Sequence, residues 1–191
     1  MKIPKQTLWK ELNMSVKVGS SKGWVALSNL NDLKLHLTNV FNPFASSSRK
    51  VLISLPPVEK IYRGSIARVW NVAFSASPDE EDCVVAAKLN APFISLCRPG
   101  DSEWTYIETP MSFFTSVVMY SKRDRRFYLL SSNISGTDLI KTCSDFPPVS
   151  LYQRFPFSDI PKSTKDLIQS CVLRNQYLVE APSGESFIVF W

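Results

Sequence analysis

The sequence predicts an all-β domain, and three observations predict it. Short apolar or alternating runs recur along the chain, bounded by clusters of Pro, Gly, Asn, Asp and Ser. The aromatic and proline content is high, with 12 Phe, 6 Tyr, 5 Trp and 13 Pro against only 6 Gly, a balance that suits many short strands better than long helices. The strand-like runs also return with a period of about forty residues.

The first clear element is an alternation. Leu33, Leu35 and Leu37 point one way and Lys34, His36 and Thr38 the other, as in a half-buried strand with a polar outer side. Gly23 to Leu27 reads as its hairpin partner across the turn-forming stretch Asn29 to Asp32. A third strand, Val51 to Leu55, is stopped by Pro56-Pro57, because proline donates no ladder hydrogen bond. Val69 to Phe74 and Cys83 to Lys88 then flank the polar loop Ser75 to Asp82. Phe93 to Cys97 pairs with Trp104 to Ile107 across Arg98-Pro99-Gly100-Asp101-Ser102, whose adjacent proline and glycine make it the strongest turn in the chain.

A further round runs from Phe113 to Tyr120, through a basic loop, to Arg126 to Leu130, and is followed by an irregular stretch ending at Pro147-Pro148. The last opens with Tyr177 to Glu180, turns at Ala181 to Glu185 and re-enters a strand at Phe187 to Trp191. Helix is minor: Lys5 to Leu12 behind Pro4, and Thr164 to Ser170, are the only candidates.

Four-stranded units repeating at this spacing are the signature of a β-propeller, with a β-sandwich as the alternative. The expected organisation is a lead-in over 1–17 with a possible short helix, then a kelch-like propeller over 18–191. Its blade-like units fall near 18–58, 68–110, 113–148 and 170–191. About four blades is the most this length supplies, and the apolar run Phe187 to Trp191 would be an uncovered edge, so an incomplete ring is expected. Trp24, Trp70 and Trp104 sit at blade-like intervals and are expected to fill the spaces between blades.

The 191 residues allow one domain of ordinary size or a large part of a bigger one, and 45% hydrophobic with 20% charged residues is a globular composition. The longest nearly uncharged apolar stretch, Met111 to Tyr120, is about half the roughly twenty residues a spanning helix needs. A net charge of +5 permits polyanion binding without demanding it. The positive charge concentrates in Lys122, Arg123, Arg125 and Arg126, and an opposite cluster stands at Asp79, Glu80, Glu81 and Asp82. Each reads as a hairpin loop, and the basic one is the candidate partner-binding loop.

Catalytic and metal chemistry find little support. His36 is the single histidine, so Ser-His-Asp and Cys-His arrangements lack a base, and its place on the polar side of a strand suits a solvated or hydrogen-bonded side chain. Cys83, Cys97, Cys143 and Cys171 are too far apart for a zinc motif or a redox dithiol; three of them sit in apolar strand-like runs and read as buried thiols, which suits a reducing, intracellular compartment. Glu103, Glu108, Asp138 and Asp145 are the carboxylates to check for glycoside hydrolysis. Asn13-Met14-Ser15 and Asn133-Ile134-Ser135 are chance glycosylation triplets, and no secretory or import leader is legible. No catalytic, cofactor or metal residue is therefore assigned.

Several phrases together are similar to a known family. Gly19 to Leu27, with Asn42-Pro43-Phe44 and Ser54-Leu55-Pro56-Pro57, resembles the first blade of the plant KIB-type β-propeller domain, often found behind an F-box. Asp82 to Val85, then Cys97-Arg98-Pro99-Gly100-Asp101 and Trp104, resembles its next blade. Tyr120 with Arg126 to Leu129, and Tyr177 to Glu180 before Ser183-Gly184-Glu185, fit those that follow. The resemblance implies a kelch-like propeller that acts as a protein-recognition surface, in some members presenting targets to a ubiquitin ligase. No F-box-like segment precedes Gly19 here. The spelling Phe74 to Asp82 is similar to a branch that lacks the F-box and carries organelle leaders, so mitochondrion, cytoplasm and nucleus all stay open. The expected partner is a protein, with RNA binding and glycoside cleavage as lesser alternatives.

Overall fold

The computed structural model describes residues 14–39, 52–133, 136–143, 150–156, 161–164, 166, 176–181, 183 and 185–190. Strands β1 (Ser15–Ser21), β2 (Trp24–Asn29), β3 (Lys34–Thr38) and β4 (Leu52–Pro57) form an antiparallel meander. A small hairpin, β5 (Ile61–Tyr62) and β6 (Ser65–Ile66), leads to the second meander. That sheet comprises β7 (Val69–Phe74), β8 (Val85–Leu89), β9 (Phe93–Cys97) and β10 (Thr105–Glu108). A single 3₁₀ turn, Met111–Phe113, opens the third, made of β11 (Val118–Ser121), β12 (Arg126–Asn133), β13 (Gly136–Cys143) and β14 (Ser150–Pro156). Strands β15 (Gln176–Glu180) and β16 (Ser186–Phe190) pair as a fourth, two-stranded sheet among the described residues.

The sheets stack face to face, and the period-2 alternation of their strands divides the core. One cluster joins Trp24, Ala26, Leu35, Leu37, Ile53 and Leu55 of the first sheet to Phe74, Val85, Ala87 and Leu89 of the second. The next joins Ala73, Ala86, Ile94 and Leu96, on the opposite face of that second sheet, to Val118, Phe127 and Leu129 of the third. Every residue of β8 is buried for this reason, and its paired alanines Ala86 and Ala87 keep both neighbouring sheets close. The first strands adjoin one another in turn, β1 against β7, β7 against β11 and β11 against β15, as the inner strands of consecutive propeller blades do. The molecule is a partial β-propeller.

Several expectations need correction. Leu33 lies in a turn at φ 59°, β3 starts one residue later, and His36 and Thr38 are buried like the leucines. Alternation there separates apolar from polar side chains, not buried from exposed ones. Pro56 and Pro57 belong to β4 instead of stopping it, because among the described residues β4 is an edge strand whose outward side has no ladder to supply. The run from Phe113 begins as the 3₁₀ turn and becomes a strand only at Val118. The first strand starts at Ser15, inside the expected lead-in, and the irregular stretch holds β13, with β14 running past the expected end of its unit to Pro156.

Trp24 and Trp104 are buried between the first two blades, but Trp70 is 55% exposed. A bulge between Val69 and Asn71 inserts Trp70 as the extra residue of β7 and turns its side chain out of the core. The expected helix Lys5 to Leu12 and most of Thr164 to Ser170 lie outside the described residues; among the described ones, 162–164 and 166 are helical.

Candidate functional site

Because β1, β7 and β11 lie side by side, the turns that follow them open on one rim. The β1–β2 turn carries Lys22, the β7–β8 loop Ser75 to Asp82, and the β11–β12 turn Lys122 to Arg125. Arg98, at the end of β9, reaches the same rim. Together they line a cleft of about 790 Å³, with Ala76, Val84 and Tyr120 as its apolar part. Its lining carries both signs of charge: Glu80, Glu81 and Asp82 with Arg98 from the second blade, Lys22 from the first, and Lys122 and Arg125 from the third.

Both loops are fixed by contacts within the protein. Trp24 Nε1 donates to Ser77 Oγ at 3.0 Å and Ser77 Oγ donates to Asp79, while Lys22 Nζ donates to the Ser75 carbonyl at 2.9 Å. In the basic turn, Asp124 accepts from Arg123 Nε at 3.1 Å and from the Tyr128 hydroxyl, and its own N–H donates to Ser121 Oγ at 3.0 Å. Ser121 Oγ donates to Glu180 of the fourth blade. Burial, then the hydrogen bond to Asp124, pushes the Tyr128 hydroxyl up from its ordinary pKa.

The basic loop is thus divided. Lys122 and Arg125 face the cleft, Arg123 is held by Asp124, and Arg126 is the half-buried first residue of β12, opposite Ser121 and Cys143 in the ladders. The acidic run, read from the sequence as a separate loop, contributes Glu80, Glu81 and Asp82 to the same cleft. Lys22 and Arg98 were missed, although each sits in a glycine-bearing turn at the rim end of its blade, and superposing the repeats would place both there.

The other candidate groups do not converge. His36 is buried, with Nδ1 2.9 Å from Ser54 Oγ, its direct cross-strand partner. Neither residue lines the cleft, and the pair reads as a polar contact between strands. Glu103, two residues before β10, and Glu108, its last residue, are both exposed, Asp145 lies outside the described residues, and the side chain of Asp138 is not described. Cys83 and Cys97 are free and buried, and burial raises their thiols to about 11 and about 12. Among the described residues, no three His, Cys, Asp or Glu side chains group as metal ligands, and no helix is long and apolar enough to cross a membrane.

Two residues that couple the blades were also missed. Lys88 has no exposed surface, and its ammonium donates to the carbonyls of Leu89 and Ala91 at 2.6 Å and of Phe114 at 3.2 Å. Asn71 imitates a strand neighbour across the second and third blades: Nδ2 donates to the Val118 carbonyl at 3.0 Å and Oδ1 accepts from the Val118 N–H at 2.9 Å.

Stacked four-stranded meanders with adjoining first strands and a cleft at their shared rim define a β-propeller whose built surface lies across several blades. The chain belongs to the KIB1-4 beta-propeller family, whose model matches residues 1–191. No curated protein matches it.

Proposed function

We propose that the chain is a non-catalytic protein-interaction module of the F-box-associated propeller type, and that the cleft at the rim of the first three blades is its binding surface. The observation that carries this reading is the convergence there of turns from three consecutive blades, with opposed charged walls and rigid loops. Loops held by a stacked scaffold lose little entropy when a partner docks. The resemblance to F-box-associated domains extends the proposal: the protein held in the cleft would be a target presented to a ubiquitin ligase. Polyanion binding is the weaker reading, because Glu80, Glu81 and Asp82 stand in the same cleft as the cations.

A photo-activatable amino acid placed at Lys122, and separately at Ile61 beyond the start of β7, tests the proposal. The cleft position is expected to capture a reproducible protein partner, with capture competed by unlabelled chain, while Ile61 captures none. Equal capture from both positions, or none from Lys122, contradicts it.

A further inference from the structure

Each loop that walls the cleft uses one of its charges internally and leaves the others facing the opening. In the basic turn the carboxylate of Asp124 accepts from Arg123 Nε and from the Tyr128 hydroxyl, while Lys122 and Arg125 line the cleft. In the acidic loop Asp79 accepts from Ser77, which in turn holds Trp24, and Glu80, Glu81 and Asp82 are exposed. Glu80, Glu81 and Asp82 of the one loop and Lys122 and Arg125 of the other line the same cleft. The backbone fixes this presentation, since Arg125 sits at φ 52° in a tight turn and the Glu80 N–H donates to the Ser77 carbonyl at 2.8 Å.

Resting on the interaction reading above, we propose that the cleft takes a segment of a partner protein that carries both signs of charge, a basic side chain against Glu80, Glu81 and Asp82 and an acidic one against Lys122 and Arg125. The lining decides against a ligand of one sign. Lys22, Arg98, Lys122 and Arg125 supply four cations and Glu80, Glu81 and Asp82 three anions, so what such a ligand gains at one wall it loses at the other. A nucleic acid meets the same obstacle, because its phosphates would lie beside the acidic wall. A volume of about 790 Å³ is within the roughly 300–1,000 Å³ range of ligand clefts, and Tyr120, Val84 and Ala76 give aliphatic stems a surface to lie on.

The experiment uses the full chain and three fluorescein-labelled peptides of equal length in about 0.1 M salt: one with lysines and glutamates in separate halves, one with glutamates only and one with lysines only. The mixed peptide is expected to bind about tenfold more tightly than either other, the combined effect of a few exposed ion pairs. The variant Lys122→Gln with Arg125→Asn, asparagine being tolerant of the left-handed backbone at that turn, should abolish this advantage and leave the lysine-only peptide the stronger of the single-sign pair. Glu80→Gln with Glu81→Gln should leave the glutamate-only peptide the stronger. These side chains are exposed, and an unchanged circular dichroism spectrum confirms that each variant folds.

A mixed peptide no tighter than the glutamate-only one, or single-stranded RNA binding more tightly and with steep salt dependence, overturns the proposal. If the peptides fail while Lys122 still captures a protein, the interaction reading stands and the dipolar one falls. If both fail, both fall.

Discussion

A lysine with no exposed surface has to find acceptors inside the protein, and Lys88 finds three backbone carbonyls at the boundary of the second and third blades. Burial still lowers its pKa from 10.5 to about 8. Between those values the unfolded chain holds a proton that the folded chain has released, so stability rises with pH through this window. Cys83 and Cys97 act in the opposite sense. Burial raises them from 9.0 to about 11 and about 12, so above pH 9 the unfolded thiols ionise first and stability falls. Urea midpoints should therefore climb from pH 8 to about 9 and decline above it, and Lys88→Met should remove the climb and keep the decline. A climb that persists in Lys88→Met would refute this. At pH 7 the same variant relieves a desolvation cost on the order of 3 kcal/mol but strands three carbonyls at about 1–3 kcal/mol each, so a net loss of up to about 6 kcal/mol is expected. The tryptophans make a parallel contrast. Trp104, 5% exposed and donating from Nε1 to the Pro56 carbonyl at 2.8 Å, should cost about 3–5 kcal/mol when changed to alanine. Trp70→Ala at the bulge should stay within about 0.5 kcal/mol, and denaturant titrations giving equal losses would show the two indoles misplaced.

At the scale of the element, the blades are held at a spacing that a single glycine sets. A Cβ added to Gly19 of β1 would lie 2.7 Å from Val72 Cγ2 and 3.1 Å from the Val72 carbonyl oxygen of β7, closer than packed atoms allow. Gly19→Ala should lose about 1–3 kcal/mol by forcing the strands apart. Adding Val72→Ala removes the nearer clash but leaves the carbonyl, so the double variant should be less destabilised than the sum of the singles. Strict additivity in that cycle would mean that β1 and β7 are not in contact. The legibility of elements follows the same local chemistry. The hairpin across Pro99-Gly100 announced itself because its turn residues and flanking runs agree, and the pairing of Phe93–Cys97 with Thr105–Glu108 matches it. Strand β13 did not, since Gly136, Thr137 and Asp138 spell a loop locally and are held in a strand by ladders on both sides. Asn71 was equally silent, because a bulge shifts the side-chain phase and no residue near Trp70 advertises one.

At the scale of the molecule, the propeller was legible because a repeat betrays itself by period even when single strands are misdrawn, whereas the cleft was not, because it exists only between repeats. The acidic and basic runs, about forty residues apart in sequence, become facing walls when blades stack, and Lys22 and Arg98 join them by the same geometry. Convergence of turns from successive blades on one rim is the claim on which the functional reading depends. Its most direct measurement is amine cross-linking of the native chain, read by peptide mass spectrometry. Lys22 and Lys122 should be joined to each other, while Lys60, held over the Phe93 ring beyond the start of β7 on the opposite rim, should be joined to neither. Cross-links from Lys60 to Lys122 in place of those from Lys22 would contradict the stacking and the cleft together.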